Sequence, residues 1–179
     1  MNARIISETL EMTSPTNLRN ARQWYAEVRR FCVTIADKYS LPYWKVAGVV
    51  SALSPRNRFD RNLVDAENVI KLGNAATVAT FGNNKRKALA IIAASDINQV
   101  YAMFEGRKTL SFFDNIVNPR SQRVTVDVWI IKAFKIEGSL TDKKYREAEE
   151  AIQDYAAKIN VKPCELQAML WVAVRGKAY

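Results

Sequence analysis

The chain has 179 residues, of which 49% are hydrophobic and 25% are charged, a composition typical of a folded protein rather than a disordered one. Lys and Arg number 27 against 18 Asp and Glu, and the resulting formal charge of +9 favours a polyanionic partner. The sequence contains no histidine, which excludes active sites built on imidazole, including the common zinc hydrolase and deaminase patterns. Any chemistry must therefore use Lys, Asp, Glu, Tyr or Cys.

The cysteines and the N-terminal sequence favour a cytoplasmic location. Cys32 and Cys164 are far apart and form no CxxC motif, so we expect reduced core residues and neither a disulfide framework nor a metal cluster. The stretch MNARIISETLEM has no apolar signal core, and no apolar run approaches the roughly 18 residues that span a membrane. We predict a single domain over residues 1–179 that needs no cofactor or metal, does not enter a membrane and acts as a monomer.

The first part of the chain has helical periodicity. A start signal at Ser14-Pro15-Thr16 precedes one long predicted helix. Its inner face carries Trp24, Val28, Phe31, Ile35 and Tyr39. Pro42 opens a second helix, which the sequence Ser54-Pro55-Arg56-Asn57 ends. The inner residues of this second helix are Val46, Val49, Val50 and Leu53. A third helix is predicted from about Phe59 to Leu72, with Gly73 as its stop signal.

The second part of the chain also predicts helices. Shorter ones are expected at 84–94, at 96–104 after a cap at Ser95, and at 107–117 after Gly106. A basic loop at 118–126 leads to Asp127, the predicted N-cap of a helix through Phe134. Thr141 caps a long amphipathic helix and Pro163 opens the last one. The inner side of the amphipathic helix carries Tyr145, Ala148, Ile152, Tyr155 and Ile159.

The only β-like stretch is Val124-Thr125-Val126, and three residues do not form a sheet. The prediction is therefore an all-α fold, a two-lobed helical bundle in which the chain crosses between lobes at the turn near Gly138.

Positive charge is concentrated at the predicted turns. Free backbone amides at helix starts also attract anions, so phosphate binding explains this placement better than a set of solvated charges does. The pattern predicts nucleic-acid binding but no particular chemistry. The clusters are Arg56, Arg58 and Arg61; Lys85, Arg86 and Lys87; Arg107 and Lys108; and Arg120 and Arg123.

A longer pattern, over roughly residues 44–176, resembles the helix-hairpin-helix DNA glycosylases of the endonuclease III type. Gly106-Arg107-Lys108-Thr109 matches the family's hairpin glycine and helix start, and Val126-Asp127 matches its VD motif. Leu53-Ser54, ahead of Phe59 and Asn62, is similar to the family's segment that enters the duplex. Residues 83–91 and 166–176 are similar to two further family helices. The resemblance places the hairpin motif at about 96–117 and the catalytic loop at 118–129.

The sequence departs from the family pattern at several positions. Phe104 replaces the first of two hairpin glycines, so a weakened or reshaped contact with a DNA phosphate is expected. Lys108 and Asp127 are 19 positions apart, one more than the family spacing, and Trp129 stands where a histidine often follows the aspartate. The terminal cysteine cluster that holds iron and sulfur in some members is missing, which makes the chain similar to compact phage-type members.

The resemblance implies a DNA glycosylase with AP lyase activity that acts on double-stranded DNA by base flipping. Lys108 would be the Schiff-base nucleophile, active when neutral, which burial or a neighbouring cation such as Arg107 promotes. Asp127 would stabilise the oxocarbenium character of the sugar. Trp129 would lie near the flipped base, and Arg56 and Asn57 would fill the gap in the duplex. The other implied DNA-binding residues are Arg58, Lys85, Arg86, Lys87, Gly106, Arg107, Thr109, Arg120 and Arg123.

Each assignment has a structural alternative. Asp127 also suits an ordinary helix N-cap, Lys108 a phosphate-binding lysine at a helix start, and residues 55–58 a plain exposed turn. Two other functions stay open beside the glycosylase hypothesis. One is a glycosylase-fold phage enzyme of thymine-base hypermodification, and the other is a DNA-binding module without catalysis.

Overall fold

The computed structural model describes residues 3–176, and the regular structure within them is helical throughout, as the sequence predicts. No helix in this range is long and apolar enough to cross a membrane. A single 3₁₀ turn lies at Gly73–Ala75. The helices are α1 (Ala3–Glu11), α2 (Pro15–Arg22), α3 (Trp24–Tyr39), α4 (Tyr43–Leu53), α5 (Phe59–Leu72), α6 (Gly82–Ala93), α7 (Ile97–Ala102), α8 (Arg107–Val117), α9 (Val128–Ala133), α10 (Asp142–Lys158) and α11 (Pro163–Arg175).

The described chain divides into two compact units. The middle unit contains residues 28–117, and the terminal unit contains the described residues on either side, 3–27 and 118–176. One boundary falls inside α3 and the other follows α8. The predicted crossing point near Gly138 is therefore wrong. Gly138 lies in the turn between α9 and α10, and both of these helices pack on the core of the terminal unit.

The middle unit is built around α4. Every residue of α4 from Val46 to Leu53 is buried, and the helix packs against α5, α6, α7 and α8. Gly48 permits this close packing, because a Cβ at that position would lie 2.8 Å from Cγ2 of Ile91 and 3.0 Å from Cγ1 of Val100. Helices α5, α6 and α8 therefore all pack on α4, and the α4–α5 turn directly follows that helix.

The terminal unit is built around α11 in the same way. This helix contacts α1, α2, α9 and α10, and Pro163 opens it at the first helical position, as predicted. Leu166 and Leu170 belong to a buried core that also contains Ile130 of α9 and Ile152 of α10. The predicted cap of α10 is also confirmed, because the side chain of Thr141 accepts the amide of Lys144.

Several predicted helix bounds need correction. The single long first helix is wrong, because the amide of Gln23 bonds back to the carbonyl of Asn20 at 3.0 Å and ends α2 before α3 begins. Asp96 rather than Ser95 caps the next predicted helix, since Asp96 Oδ1 accepts the amides of Asn98 and Gln99 at 2.8 and 3.1 Å. That helix ends at Ala102, and α6 begins at Gly82 instead of residue 84. The N-terminal helix α1 was not predicted.

The inner face predicted for α10 is correct except at its C-terminal end. Tyr145, Ala148 and Ile152 are buried, but Ile159 is 38% exposed because it follows the last helical residue. The cysteines are free and buried, as predicted. Burial raises the pKa of Cys32 to about 12 and that of Cys164 to about 11, so both thiols stay protonated at neutral pH.

Candidate functional site

The turn between α4 and α5 presents Arg56 to solvent. Arg56 has a φ of +54°, the left-handed conformation, which costs a non-glycine residue about 1 kcal/mol. The amide of Asn57 bonds to the carbonyl of Ser54 at 3.2 Å, and the hydroxyl of Thr80 donates to the carbonyl of Pro55 at 2.7 Å. A strained residue that its neighbours hold in place is a feature of functional sites. Arg56 is therefore the residue of this turn with the best claim to a binding role.

A buried carboxylate fixes the same turn from inside the middle unit. Asp65 has no exposed surface and accepts hydrogen bonds from Asn57 Nδ2 at 3.0 Å, Arg61 Nε at 2.7 Å and the amide of Ala79 at 2.8 Å. Asn57 Oδ1 is also buried. The amide group of Asn57 therefore faces the protein interior, and of the two residues predicted to fill a gap in DNA only Arg56 projects outward.

The three basic residues at the start of α6 have different environments. Lys85 Nζ donates to the carbonyls of Asn74 and Ala76 at 2.7 and 2.6 Å, so it ties the 3₁₀ turn to α6. Lys87 is half-buried, with Nζ 5.9 Å from the ring centroid of Phe104. Arg86 is exposed and bonds to the side chain of a neighbouring asparagine in the same turn. Arg86 is thus the member of this cluster best placed to contact DNA.

Residues 103–106 connect α7 to α8, at the position where the hairpin motif is predicted, and this connection is called the hairpin below. Phe104 is only 4% exposed, and its ring centroid lies 5.3 Å from that of Phe113 on α8. Gly106 is exposed and does not have a positive φ, and its carbonyl accepts the hydroxyl of Thr109 at 3.0 Å. Lys108, the second residue of α8, is exposed to solvent.

The basic loop between α8 and α9 is ordered by contacts within the terminal unit. The hydroxyl of Tyr145 donates to the carbonyl of Val124 at 2.7 Å and accepts the amide of Val126 at 3.2 Å. The amide of Val124 donates to a carboxylate oxygen of Glu149 at 2.9 Å. The backbone groups of the β-like stretch Val124-Thr125-Val126 therefore form hydrogen bonds with side chains of α10, not with a neighbouring strand. Arg120 is exposed and Arg123 is half-buried.

Asp127 is the N-cap of α9, as predicted. Its Oδ1 accepts the amides of Trp129 and Ile130 at 3.0 and 3.1 Å. Trp129 is half-buried, and Lys132 Nζ lies 4.3 Å from its ring centroid, a cation–π contact. One face of the indole is therefore already occupied, and a base would stack on Trp129 through the opposite face or after Lys132 moves.

The candidate residues fall into two groups. The middle unit contains Arg56, Asn57, Arg58, Lys85, Arg86, Lys87, Gly106, Arg107, Lys108 and Thr109, whereas the terminal unit contains Arg120, Arg123, Asp127 and Trp129. The lysine and aspartate of the predicted catalytic pair thus belong to different units. Within residues 3–176 no group of three or more His, Cys, Asp or Glu side chains is arranged to hold a metal ion.

Two residues of the middle unit were missed by the sequence reasoning. Asp65 lies one helical turn after Arg61, a spacing that indicates an ion pair but not a buried hydrogen-bond centre. Phe81 is 55% exposed, and the guanidinium carbon of Arg56 lies 5.5 Å from its ring centroid. No sequence signal marks Phe81, because an isolated aromatic before a helix usually joins a core.

Comparisons with known proteins give a family for the chain but no function. No curated protein and no solved structure gives a significant match. A family model matches residues 1–178, which is almost the whole sequence, and its description is that of a family of unknown function. This protein therefore belongs to the DUF7178 family.

Proposed function

We propose that the protein is a DNA glycosylase that binds double-stranded DNA, extrudes a modified base and removes it. Exposed cations at the α4–α5 turn, the start of α6, the hairpin and the 118–126 loop would contact phosphates. These are Arg56, Arg58, Arg86, Lys108 and Arg120, with Arg107 and Arg123 half-buried beside them. Asn57 and Lys85 have a structural role instead, because Asn57 Nδ2 donates to Asp65 and Lys85 Nζ donates to two backbone carbonyls.

The observation that carries this proposal is the order of two helix starts. Helix α8 begins directly after the hairpin turn with Arg107, Lys108 and Thr109, and Asp127 caps the next helix, α9. The loop between them is basic and ordered. The same order of hairpin helix, loop and capped aspartate supports the resemblance to helix-hairpin-helix glycosylases.

The proposed reaction uses Lys108 and Asp127. The neutral amine of Lys108 attacks C1′ of the sugar, and the bond from C1′ to the base nitrogen breaks with its electron pair leaving on the base, which takes up a proton. The carboxylate of Asp127 stabilises positive charge that develops on the sugar. Ring opening breaks the C1′–O4′ bond, with a proton taken up by O4′, and gives a protonated Schiff base to Lys108. Loss of a C2′ proton to water then expels the 3′ phosphate by β-elimination, which is the AP lyase step.

Borohydride trapping tests this chemistry directly. The protein is incubated with duplexes that carry uracil, an oxidised pyrimidine, hydroxymethyluracil or an abasic site. We expect a covalent adduct with at least one duplex, and its loss in Lys108→Gln. Lys71→Gln serves as the matched control, because Lys71 is an exposed lysine of the same unit outside the proposed site. Asp127→Asn keeps an N-cap acceptor for α9, so a loss of base release in this variant reports chemistry instead of unfolding.

The trapping outcomes separate the possible activities. Base release without an adduct leaves a glycosylase that lacks lyase activity. If Lys108→Gln and Asp127→Asn both trap and release as the wild type does, the catalytic assignment is wrong.

The exposure of Lys108 favours a second candidate, a DNA-binding module without catalysis. An exposed lysine at a helix start suits phosphate binding, which requires no covalent step. This candidate predicts tight duplex binding that falls steeply with salt, together with neither base release nor adduct on any of the substrates.

A further inference from the structure

The segment before α6 holds an exposed aromatic side chain on an ordered backbone. Phe81 is 55% exposed, although its carbonyl accepts the amides of Asn84 at 2.9 Å and Lys85 at 3.3 Å. The residue before it, Thr80, bonds through its hydroxyl to the carbonyl of Pro55 and accepts Asn84 Nδ2 at 2.7 Å. An aromatic ring exposed on a fixed backbone is poorly explained by packing, and it suits contact with another molecule.

Arg56 and Phe81 form a pair, and hydrogen bonds to one buried atom, Asp65 Oδ2, hold the two segments that carry them. The guanidinium carbon of Arg56 lies 5.5 Å from the ring centroid of Phe81. Asp65 Oδ2 accepts both Asn57 Nδ2, from the residue after Arg56, and the amide of Ala79, two residues before Phe81. The same carboxylate oxygen therefore fixes both segments that carry the pair, and Arg56 holds its left-handed φ of +54° within this arrangement.

We propose that the Arg56–Phe81 pair is a platform that stacks on an unpaired base of single-stranded DNA. Aromatic rings and guanidinium planes are the protein groups that stack on bases, and such stacking tolerates any base sequence. Arg58 and Arg86, both exposed, follow the two platform residues closely in the chain and supply charge for the adjoining phosphates. The net charge of +9 favours a polyanion such as DNA over a protein surface with few acidic residues or an uncharged membrane. The platform shares DNA as a partner with the proposed function but requires no bond cleavage.

The test uses the full chain and a single-stranded oligodeoxynucleotide with one 2-aminopurine, whose fluorescence falls when it stacks. We expect binding with quenching by the wild type. Phe81→Leu keeps an apolar side chain but removes the aromatic face, and we expect the affinity to fall about fivefold to a hundredfold with loss of quenching. Phe81→Trp should retain both affinity and quenching. Val64→Ala is the control, because Val64 is 53% exposed on α5 of the same unit.

The same oligonucleotide annealed to its complement serves as the paired control. We expect Phe81→Leu to lower the affinity for this duplex much less than the affinity for the single strand. The proposal is overturned by wild-type binding without quenching, by equal binding of wild type and Phe81→Leu, or by equal losses on paired and unpaired probes. Lys71→Gln, which changes an exposed lysine of α5 outside both proposed sites, should quench as the wild type does. Base release from modified duplexes and quenching of the unpaired probe are separate measurements. The glycosylase proposal fails if the wild type releases no base, whereas the platform fails if Phe81→Leu binds and quenches as the wild type does.

Discussion

The middle unit contains two turns that each present a cation, and they are stabilised by different means. The α4–α5 turn, which carries Arg56, is held by hydrogen bonds to the buried carboxylate of Asp65. The α7–α8 turn, which precedes Lys108, is held by the burial of Phe104 against Phe113. The α4–α5 turn depends on hydrogen bonds, which require particular distances and angles. The α7–α8 turn depends on the burial of an apolar ring, which has no such requirement.

This difference explains the backbone of each turn. Hydrogen bonds have narrow distance and angle requirements, so a network around Asp65 specifies a single conformation and offsets the strain of Arg56. Apolar burial is non-directional, so Phe104 fixes where the hairpin lies while Gly106 keeps an unstrained φ. The contacts of the α4–α5 turn therefore specify its conformation more strictly than those of the α7–α8 turn do.

The largest effect is expected at the apolar anchor. Phe104→Ala removes a nearly fully buried ring and should lower the free energy of unfolding by about 3–5 kcal/mol, measured by urea denaturation. The matched control is Phe81→Ala, which truncates an exposed phenylalanine of the same unit and should cost no more than about 1 kcal/mol. Similar losses in the two variants would show that Phe104 is not the anchor of the hairpin.

A smaller effect is expected at the polar centre. Asp65→Asn keeps the shape but replaces one acceptor oxygen by an NH₂ group, so at least one of the three donors faces another donor, which should cost about 1–3 kcal/mol. In Asp65→Ala, which removes both oxygens, hydrogen exchange at the amide of Ala79 should accelerate, since Asp65 is its acceptor. Asp60→Asn, an exposed carboxylate on the same helix, should change stability by no more than about 0.5 kcal/mol. Unchanged exchange at Ala79 would argue against Asp65 as the centre of the network.

The two turns also differ in how far the sequence predicts them. The bounds of α5 and the start of α8 follow from local signals, the break at residues 54–57, Gly73 and Gly106, and they are confirmed. Arg61 and Asp65 are one helical turn apart, so their ion pair is also a local pattern. The other partners of Asp65, Asn57 Nδ2 and the amide of Ala79, come from separate segments, and no spacing rule brings those together.

Tertiary packing accounts for the remaining errors. The break at Gln23 has no glycine or proline beside it, and it lets α2 place Ala21 against Met169 and Val172 of α11. The exposure of Lys108 similarly depends on where α8 enters the core, since every residue from Ser111 to Val117 is buried and Lys108 lies in the first turn ahead of them. The family resemblance predicted the position of Lys108 in a helix start but not its environment.

Arg56→Gly should separate stability from binding. Glycine adopts a positive φ without strain, so this variant should be as stable as the wild type or more stable by up to about 1 kcal/mol. Its DNA affinity should nevertheless fall, and the slope of log affinity against log salt should decrease by about 1 if Arg56 contacts a phosphate. Arg58→Ala removes a neighbouring exposed charge without relieving any strain, so it should show the binding change alone. A destabilised Arg56→Gly would contradict the view that the Asp65 network holds a strained residue.

A small change in stability is expected at Gly106, the exposed residue directly before α8. An added Cβ would have Thr109 Oγ1 at 3.5 Å as its nearest neighbour, an ordinary contact, and φ at this position is not positive. Glycine is preferred to alanine directly in front of a helix, so Gly106→Ala should lower the free energy of unfolding by no more than about 1 kcal/mol. If the amides at the start of α8 bind a DNA phosphate, the methyl group stands beside the approaching oxygen atoms, and duplex affinity should still fall. Thr109→Ala, which removes a hydroxyl bonded to the carbonyl of Gly106, leaves those amides uncovered and should bind more tightly than Gly106→Ala. Equal affinities of Gly106→Ala and the wild type would show that the hairpin does not bind phosphate through its backbone, and would leave the α4–α5 turn as the main DNA contact of the middle unit.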